Sequence, residues 1–547
     1  LTAAQNIYAV LTGRVTSIAA SAVLDEKTGQ YVYLGESVNR GRQREFGIFA
    51  QDAWRARPNL TLTYGLRWEV QGPFTALNEG WTTVSVSDLF GISGLGNMFK
   101  PGTMTGRVPQ FVPFRNGAQA YNTDYKNFAP NLGIAWTPQA QNGWLKSLVG
   151  NGGQTVVRAG YSIAYNRNGL GDFSGQFGAN PGSAINADRN LTIGNLVGGS
   201  LGSLPVLLRE TSRLGPPSFA STPNYPLREV ITGDAQIFDP NTKVPYSQSW
   251  TFGIQREISK NMAIEVRYVG TRNLRGWTEY NLNDVEQNIL ENGMLNEFKL
   301  AQANLQANIA AGRGANFRYF GPNTGTAPLP ITLAYFAGNR DPNVAANYTA
   351  AVIGSTAANL FTSTTFVNPL ALNNPAPLTY AANLHTDANR RANALAAGLP
   401  ANLFLTNPDL RGGALFIGNG GYTRYDALQV EFRRRLADGF LVQSNYAWAK
   451  GFSSSRFSFR TPRVNTLNND TPGFVAHSFK VNWVYELPFG KGKAFWGGIG
   501  NFANQFIGGW EFHGTGRVQS GRIQDFGNVN LVGMTEKEFS KSFGLYF

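Results

Sequence analysis

Between Tyr246 and Thr271 the side chains alternate with a period of two. Trp250, Phe252 and Ile254 fall on one side, with Thr251, Gln255 and Glu257 on the other. After the polar break Ser259-Lys260-Asn261 the alternation resumes. Met262, Ile264, Val266 and Tyr268 then oppose Glu265 and Arg267. Successive side chains of a strand point to opposite faces, so the stretch predicts a hairpin with one apolar and one charged face. Trp250 and Tyr268 close the apolar faces at the end away from the turn, where aromatic rings mark a membrane–water boundary.

The same pattern recurs along the chain. Phe46 to Trp54 is followed by the turn triplet Arg57-Pro58-Asn59. Leu60, Leu62, Tyr64, Leu66, Trp68 and Val70 then alternate with Thr61, Thr63, Gly65, Arg67 and Glu69. A slip of one residue would carry Arg67 and Glu69 to the apolar side, so the register is strongly specified. Phe128, Leu132, Ile134 and Trp136 lead through a turn at 138–153 to Val157, Ala159, Tyr161, Ile163 and Tyr165, opposed by Arg158. Leu428, Val430 and Phe432 oppose Gln429, Glu431, Arg433 and Arg435, and Asp438-Gly439 turns the chain into Phe440, Val442, Tyr446 and Trp448. Phe479 to Leu487 opposes Lys480, Asn482 and Glu486; Trp510, Phe512 and Val518 oppose Glu511, His513 and Arg517. With Gln30–Gly35 as a further candidate after the turn at 25–29, the pattern predicts at least eleven or twelve strands.

The connections sort by length. Those after residues 56, 137, 257, 436 and 487 are short or medium, and those after 70, 165, 271 and 450 are long. An antiparallel up-and-down barrel puts every second connection at the same end, and outer-membrane barrels have short periplasmic turns and long outer loops. The fold expected is therefore all-β, an antiparallel transmembrane β-barrel with long extracellular loops. Strands and outer loops 71–126 and 166–245 occupy residues 1–271, a long loop region 272–424, and further strands 425–547. Within the longest loop, Leu295, Phe298, Gln302, Leu305 and Ile309 keep a helical spacing that ends near Gly312, a helix over about 294–311. Thr386-Asp387 before an Ala-rich run to Gly398 predicts a second short helix, and the remainder reads as ordered loop.

On such a wall Arg67, Glu69, Arg158, Glu257, Glu265, Arg267, Glu431, Arg433, Arg435, Lys480, Glu486, Glu511 and Arg517 face the lumen, since Arg or Lys on the lipid face costs about 2–4 kcal/mol at mid-membrane. Trp54, Trp68, Trp136, Trp250, Tyr268, Trp448 and Trp510 are the membrane-interface aromatics.

Charged residues make up 15% of the chain, against about 25% in an average soluble domain, which suits a surface partly facing lipid and equally a glycine-rich secreted β-protein. No window of about 18 apolar residues exists, which excludes a helical membrane protein and says nothing against a barrel, whose strands need only about 9–11 residues. The absence of cysteine removes thiolate metal sites, disulfides and cysteine nucleophiles. The net charge of +13 is either a modest excess spread over a long chain, or basic lumen and loop residues meeting anionic substrate or anionic lipid headgroups.

Enzyme chemistry finds no footing. His385, His477 and His513 are scattered, and Gly490-Lys491-Gly492-Lys493 lacks the spacing and the Ser or Thr of a phosphate-binding loop. No metal, cofactor or nucleic acid is expected. Ligand recognition is expected in the long loops, with Phe173, Phe177, Tyr319, Phe320, Tyr335 and Phe336 as candidate contacts. Packing within the loops is the alternative reading of each.

Several segments resemble TonB-dependent outer-membrane receptors, above all the Oar-like group. They are 46–69 (FGIFAQDAWRARPNLTLTYGLRWE), 244–270 (VPYSQSWTFGIQREISKNMAIEVRYVG), 291–305 (ENGMLNEFKLAQANL) and 422–450. The resemblance implies a 22-stranded barrel in the bacterial outer membrane, occluded by an N-terminal plug. It implies uptake of an extracellular ligand through contact with a TonB-type energiser. The chain departs from that pattern: it shows no plug, no TonB-contact box and too few strands, which reads as a barrel-region fragment. The terminal Phe543-Gly544-Leu545-Tyr546-Phe547 mimics a barrel's aromatic last strand, a likeness read as chance. The competing expectation is a passive porin-like or surface-adhesion barrel that binds an extracellular partner.

Overall fold

The computed structural model describes residues 2–543 apart from 98–99, 141, 151, 168, 179, 199–200, 229–233, 457–463, 468–473 and 522–531. Its frame is one antiparallel sheet. Ten strands run in chain order: β1 (Glu45–Arg57), β2 (Leu60–Gln71), β3 (Asn127–Trp136), β4 (Thr155–Tyr165), β5 (Tyr246–Ser259), β6 (Met262–Asn281), β7 (Gly413–Ala437), β8 (Phe440–Arg456), β9 (His477–Glu486) and β10 (Glu511–Gln519). Each pairs with the next, so sequence order and spatial order coincide. Two short segments join outside this path. Asp234–Phe238 lies parallel to the start of β7, and Val464–Leu467 lies antiparallel to the end of β8.

Register fixes the faces. Leu62 pairs with Trp54 and Ile134, Val266 with Ile254 and Val430, and Tyr446 with Phe479. The apolar rows are therefore continuous from β1 to β10, and they lie bare: Leu66, Phe128, Leu132 and Trp448 are each 50% exposed. A bare apolar face this wide marks a surface that meets something other than water. Charges interrupt it near its ends, among them Arg256 and Arg434 near the short turns and, on the edge strand, Asp52, to which Tyr64 Oη donates at 3.0 Å.

The turn after β7 shows how local chemistry sets the register. Asp438 and Gly439 have φ of 52° and 76°. Both central positions are left-handed, as the tightest hairpin turn requires and as Asp-Gly tolerates.

The short connections, 58–59, 137–154, 260–261, 438–439 and 487–510, all lie at one end, and 72–126, 166–245, 282–412 and 457–476 at the other. The first three long ones are packed. Phe74, Trp81, Phe114, Tyr121, Phe173, Phe177 and Phe238 stack into an aromatic core under the first two of them. Residues 285–405 form a helical unit of seven α-helices, from Val285–Glu291 to Ala388–Ala396, around Phe298, Leu305, Phe317, Phe336, Phe361, Tyr380 and Phe404. Asn407 Nδ2 ties this unit to the first long connection by donating to the carbonyls of Asp88 and Leu89, both at 3.0 Å.

Several expectations need correction. Tyr31–Tyr33 is a strand, but it pairs with Ser21–Leu24, which pairs in turn with Ala184–Asn186 inside the second long connection. The residues before β1 therefore join the loops, not the wall, and the sheet reaches twelve strands only through the two short segments in the long connections. β6 continues to Asn281 and β7 begins at Gly413, so the region 272–424 is partly strand. What remained of it as "ordered loop" holds four further α-helices of four or more residues between 294–310 and 388–396. Phe543 ends the helix Glu536–Phe543, and 544–547 lie outside the described residues.

Candidate functional site: an ionic face beneath a folded loop cap

Opposite the apolar face, the register gathers the charges. One row runs Gln255, Glu265, Glu431, Asn445, Lys480 and Arg517, and the next runs Arg158, Gly253, Arg267 and Gln429. Arg67 and Glu69, Glu257 and Arg433, Arg435, and the opposed pair Glu486 and Glu511 belong to the same face by alternation and pairing. All thirteen residues singled out as lumen-facing thus share one side of the sheet.

Glu265 and Glu431 stand directly across from each other, a placement that is unfavourable on its own. Two arginines relieve it. Arg433 Nε lies 3.1 Å from Glu431 Oε1, and Arg267 Nη1 lies 3.9 Å from Glu265 Oε1. Arg267 also donates to Gln429 Oε1 at 2.6 Å, and Gln443 donates to Glu431 at 3.1 Å. Further along, Arg67 Nε meets Glu69 Oε2 at 2.7 Å and Lys493 Nζ meets Glu486 Oε2 at 3.0 Å. Exposed pairs of this kind contribute about 0–1 kcal/mol each, so backbone pairing holds the sheet. The charges decide which side tolerates water. Seven of the thirteen are cationic and six anionic, so the face is ionic without favouring one sign.

The seven interface aromatics lie on the apolar side by the same register, at two levels. Trp54, Trp136 and Trp510 sit near the short turns; Trp68, Trp250, Tyr268 and Trp448 sit toward the long connections. Their polar atoms are satisfied locally where they meet backbone, as where Trp68 Nε1 donates to the Tyr125 carbonyl at 2.8 Å.

The proposed loop contacts fare differently. Phe173 and Phe177 are buried in the aromatic core, and Tyr319, Tyr335 and Phe336 in the helical unit. Their side chains are largely occupied by packing. Phe320 alone is partly exposed, with the guanidinium carbons of Arg313 and Arg318 lying 4.6 and 5.3 Å from its ring centre.

Sequence reasoning missed the polar groups inside the helical unit. Glu297 is buried, and its two carboxylate oxygens accept the N–H groups of Ile331 and Thr332 at 2.7 and 2.6 Å. Those are orphan donors of the first turn of Pro330–Ala337, so a carboxylate from another helix caps it. Burial pushes this carboxyl's pKa up, against the pull of those hydrogen bonds. A Glu beside Phe298 on the stripe that also carries Ala301 and Leu305 was the available signal.

His385 is also buried, edge-on to Tyr335 and Phe404, with Tyr335 Oη 3.3 Å from its Nδ1. Burial, with Arg391 and Arg411 nearby, pushes its pKa down to about 4. The unfolded chain takes up that proton near pH 6.5. Between those values the unfolded state binds more protons, so stability falls as pH drops through this window, by up to about 3 kcal/mol. Glu297 acts in the opposite sense, favouring the folded state as pH falls from its raised value toward 4.5. Protection factors over 285–405, with exchange corrected for its intrinsic pH dependence, are therefore expected to fall from pH 6.5 to 4 in the wild type. In His385→Gln the dependence should flatten; an unchanged slope would assign it to other groups.

Residues 3–537 match the family model described as an outer membrane beta barrel domain. No curated protein matches the chain. Solved structures similar to it include the alcaligin outer-membrane receptor FauA from Bordetella pertussis, at 8% identity and a TM-score of 0.26, over 82% of this chain and 35% of that one. The copper transporter OprC aligns at 8% identity and 0.29, over 83% and 34%. The Serratia marcescens hemophore receptor HasR, in a complex with its hemophore HasA and heme, aligns at 9% and 0.27, over 88% and 52%. The chain spans about a third to a half of the length of these structures.

Proposed function

The chain belongs to the outer-membrane β-barrel domain family, and from its place in the outer membrane we propose that it is the barrel region of a TonB-dependent uptake receptor. In this reading the apolar face meets lipid and the thirteen charges line a watery lumen. The folded long connections form the outward cap that first meets an extracellular ligand.

The observation that carries it is the coincidence of three asymmetries in one sheet. One face is bare and apolar with aromatic ends, the other is ionic, and the long connections are all at one end. The resemblance of 46–69 and 244–270 to Oar-like receptors supplies the uptake function. Both β1 and β10 leave an edge unpaired among the described residues. Unpaired backbone groups are costly in lipid, so the reading includes further strands beside both edges and a barrel wide enough to need a plug.

Planar bilayers carrying the full gene product separate uptake receptor from passive pore. A plugged receptor stays closed, and photocrosslinking in cells captures a TonB-type partner. Steady ohmic conductance without such a partner would favour the porin-like reading. The topology has its own test. Protease added to intact cells is expected to cut within 166–245 or 273–424 and to spare 437–439. Cleavage at Asp438-Gly439 from outside would invert the chain in the membrane.

A further inference from the structure

The apolar face does not end in plain polar residues. At the level where the strands leave the aromatic belt toward the long connections, Arg272 of β6 stands directly opposite Arg424 of β7, and in the adjoining row Asp426 of β7 opposes Lys450 of β8. These residues share a face with Tyr268, Leu428 and Trp448. Like charges directly opposed are unfavourable. Asp426 is the only carboxylate in the rows Gln248–Arg272–Arg424–Phe452, Trp250–Gly270–Asp426–Lys450 and Tyr268–Leu428–Trp448–His477.

That carboxylate is already engaged. Arg424 Nε and Tyr268 Oη both donate to it at 2.5 Å. Arg272 has no such partner among the described residues. Its guanidinium stacks 5.2 Å from the Trp250 ring centre, and its buried Nε has no acceptor among the described residues. Trp250 is itself held flat, its Nε1 3.3 Å from Tyr268 Oη and its ring so close to Gly270 that a Cβ there would meet the indole at 2.3 Å. Lys450 lies 5.4 Å over the Phe452 ring and is exposed. Arg424 and Lys450 line a cleft with Tyr268, Asp426, Leu428, Trp448 and Phe452, and Arg272, stacked on Trp250 and paired across from Arg424, stands at its margin. Guanidinium groups pair with phosphate through parallel N–H donors, and pre-oriented ones lose little freedom in doing so.

We propose that this cleft holds the phosphorylated headgroup of an outer-leaflet glycolipid, with Arg272 and Lys450 as its free cations and Trp448 and Leu428 as the shelf beneath for its apolar part. The proposal rests on the apolar face meeting lipid. It favours a lipid over a free anion because the cations continue the lipid-facing surface at the height where headgroups lie.

The test uses the full chain in neutral detergent, with three probes: bisphosphoryl lipid A, the same lipid dephosphorylated, and inorganic phosphate. Arg272→Gln with Lys450→Gln spares the Arg424–Asp426 pair and is expected to weaken lipid A retention at least tenfold. Lys260→Gln with Lys491→Gln, an equal charge change at the short-turn end, should leave it unaltered. The dephosphorylated lipid should bind weakly to every form, and millimolar phosphate should not compete. Equal retention by wild type and double variant, or equal binding of the dephosphorylated lipid, would overturn the proposal. Full competition by phosphate would assign the site to a soluble anion instead. Should the double variant fail to assemble, Lys450→Gln alone, at an exposed position, gives the same reading with a smaller loss. Cysteine accessibility along Met262–Thr271 reports separately on whether the face meets lipid, so failure of the headgroup site is distinguishable from failure of the wall.

Discussion

Leu62→Arg and Ile264→Arg are each expected to prevent insertion of the chain into the outer membrane, while Thr63→Arg and Glu265→Gln insert at near wild-type levels. Leu62 sits between Trp54 and Ile134, and Ile264 pairs with Phe432. A guanidinium in either apolar row costs about 2–4 kcal/mol near the bilayer midplane, a large share of a fold's net stability of about 5–15 kcal/mol. Thr63 lies one residue along, across from Gly133 and Ala53 on the ionic side, where a long cation finds water. The amount of protein shifting mobility on heating in outer-membrane fractions measures insertion. Equal loss at adjacent odd and even positions would remove the distinction between faces.

The second large effect lies in the cap. Phe336→Ala is expected to destabilise the helical unit by about 3–5 kcal/mol, the usual cost of emptying a packed phenylalanine site. Its ring is buried against Phe361 and Phe366 at centroid distances of 4.9 Å. Protease digestion on intact cells should then reach 285–405 much faster than in the wild type. Phe320→Ala, at a partly exposed ring, should change digestion little. If Phe336→Ala left digestion unaltered, the residue would not be part of a core, and its candidacy as a surface contact would return.

These two regions differ in how far the sequence discloses them. In the wall, each strand must satisfy lipid on one side and water on the other, so the alternation at 60–70 or 262–268 is unbroken and marks both element and face. The two-residue turns at 260–261 and 438–439 then fix the register. The cap has no such two-sided constraint. Met294–Ala310 was legible because its apolar residues keep helical spacing. Pro330–Ala337 is apolar almost all round, with five of its eight residues buried, so no stripe distinguishes it from a strand or a loop. Ala350–Leu360 is broken by Gly354 at φ 79°, which hides its period. Ligand-contact aromatics could not be separated from core aromatics for the same reason, since only packing tells Phe336 from an exposed ring. The Arg272–Arg424 opposition was hidden differently. It depends on which residue of β7 meets which residue of β6, and two register shifts beyond Asn273 obscure that pairing in the sequence.

The central claim is a wall with lipid on one face and water on the other, and the chain is suited to testing it because it contains no cysteine. Single cysteines from Met262 to Thr271, each the sole thiol, can be spin-labelled in reconstituted protein. Their collision rates with oxygen and with a water-soluble nickel complex can then be compared. The account predicts a period of two, with oxygen favoured at 262, 264, 266 and 268 and nickel favoured at 263, 265 and 267. A flat profile, or the reverse phase, would contradict it.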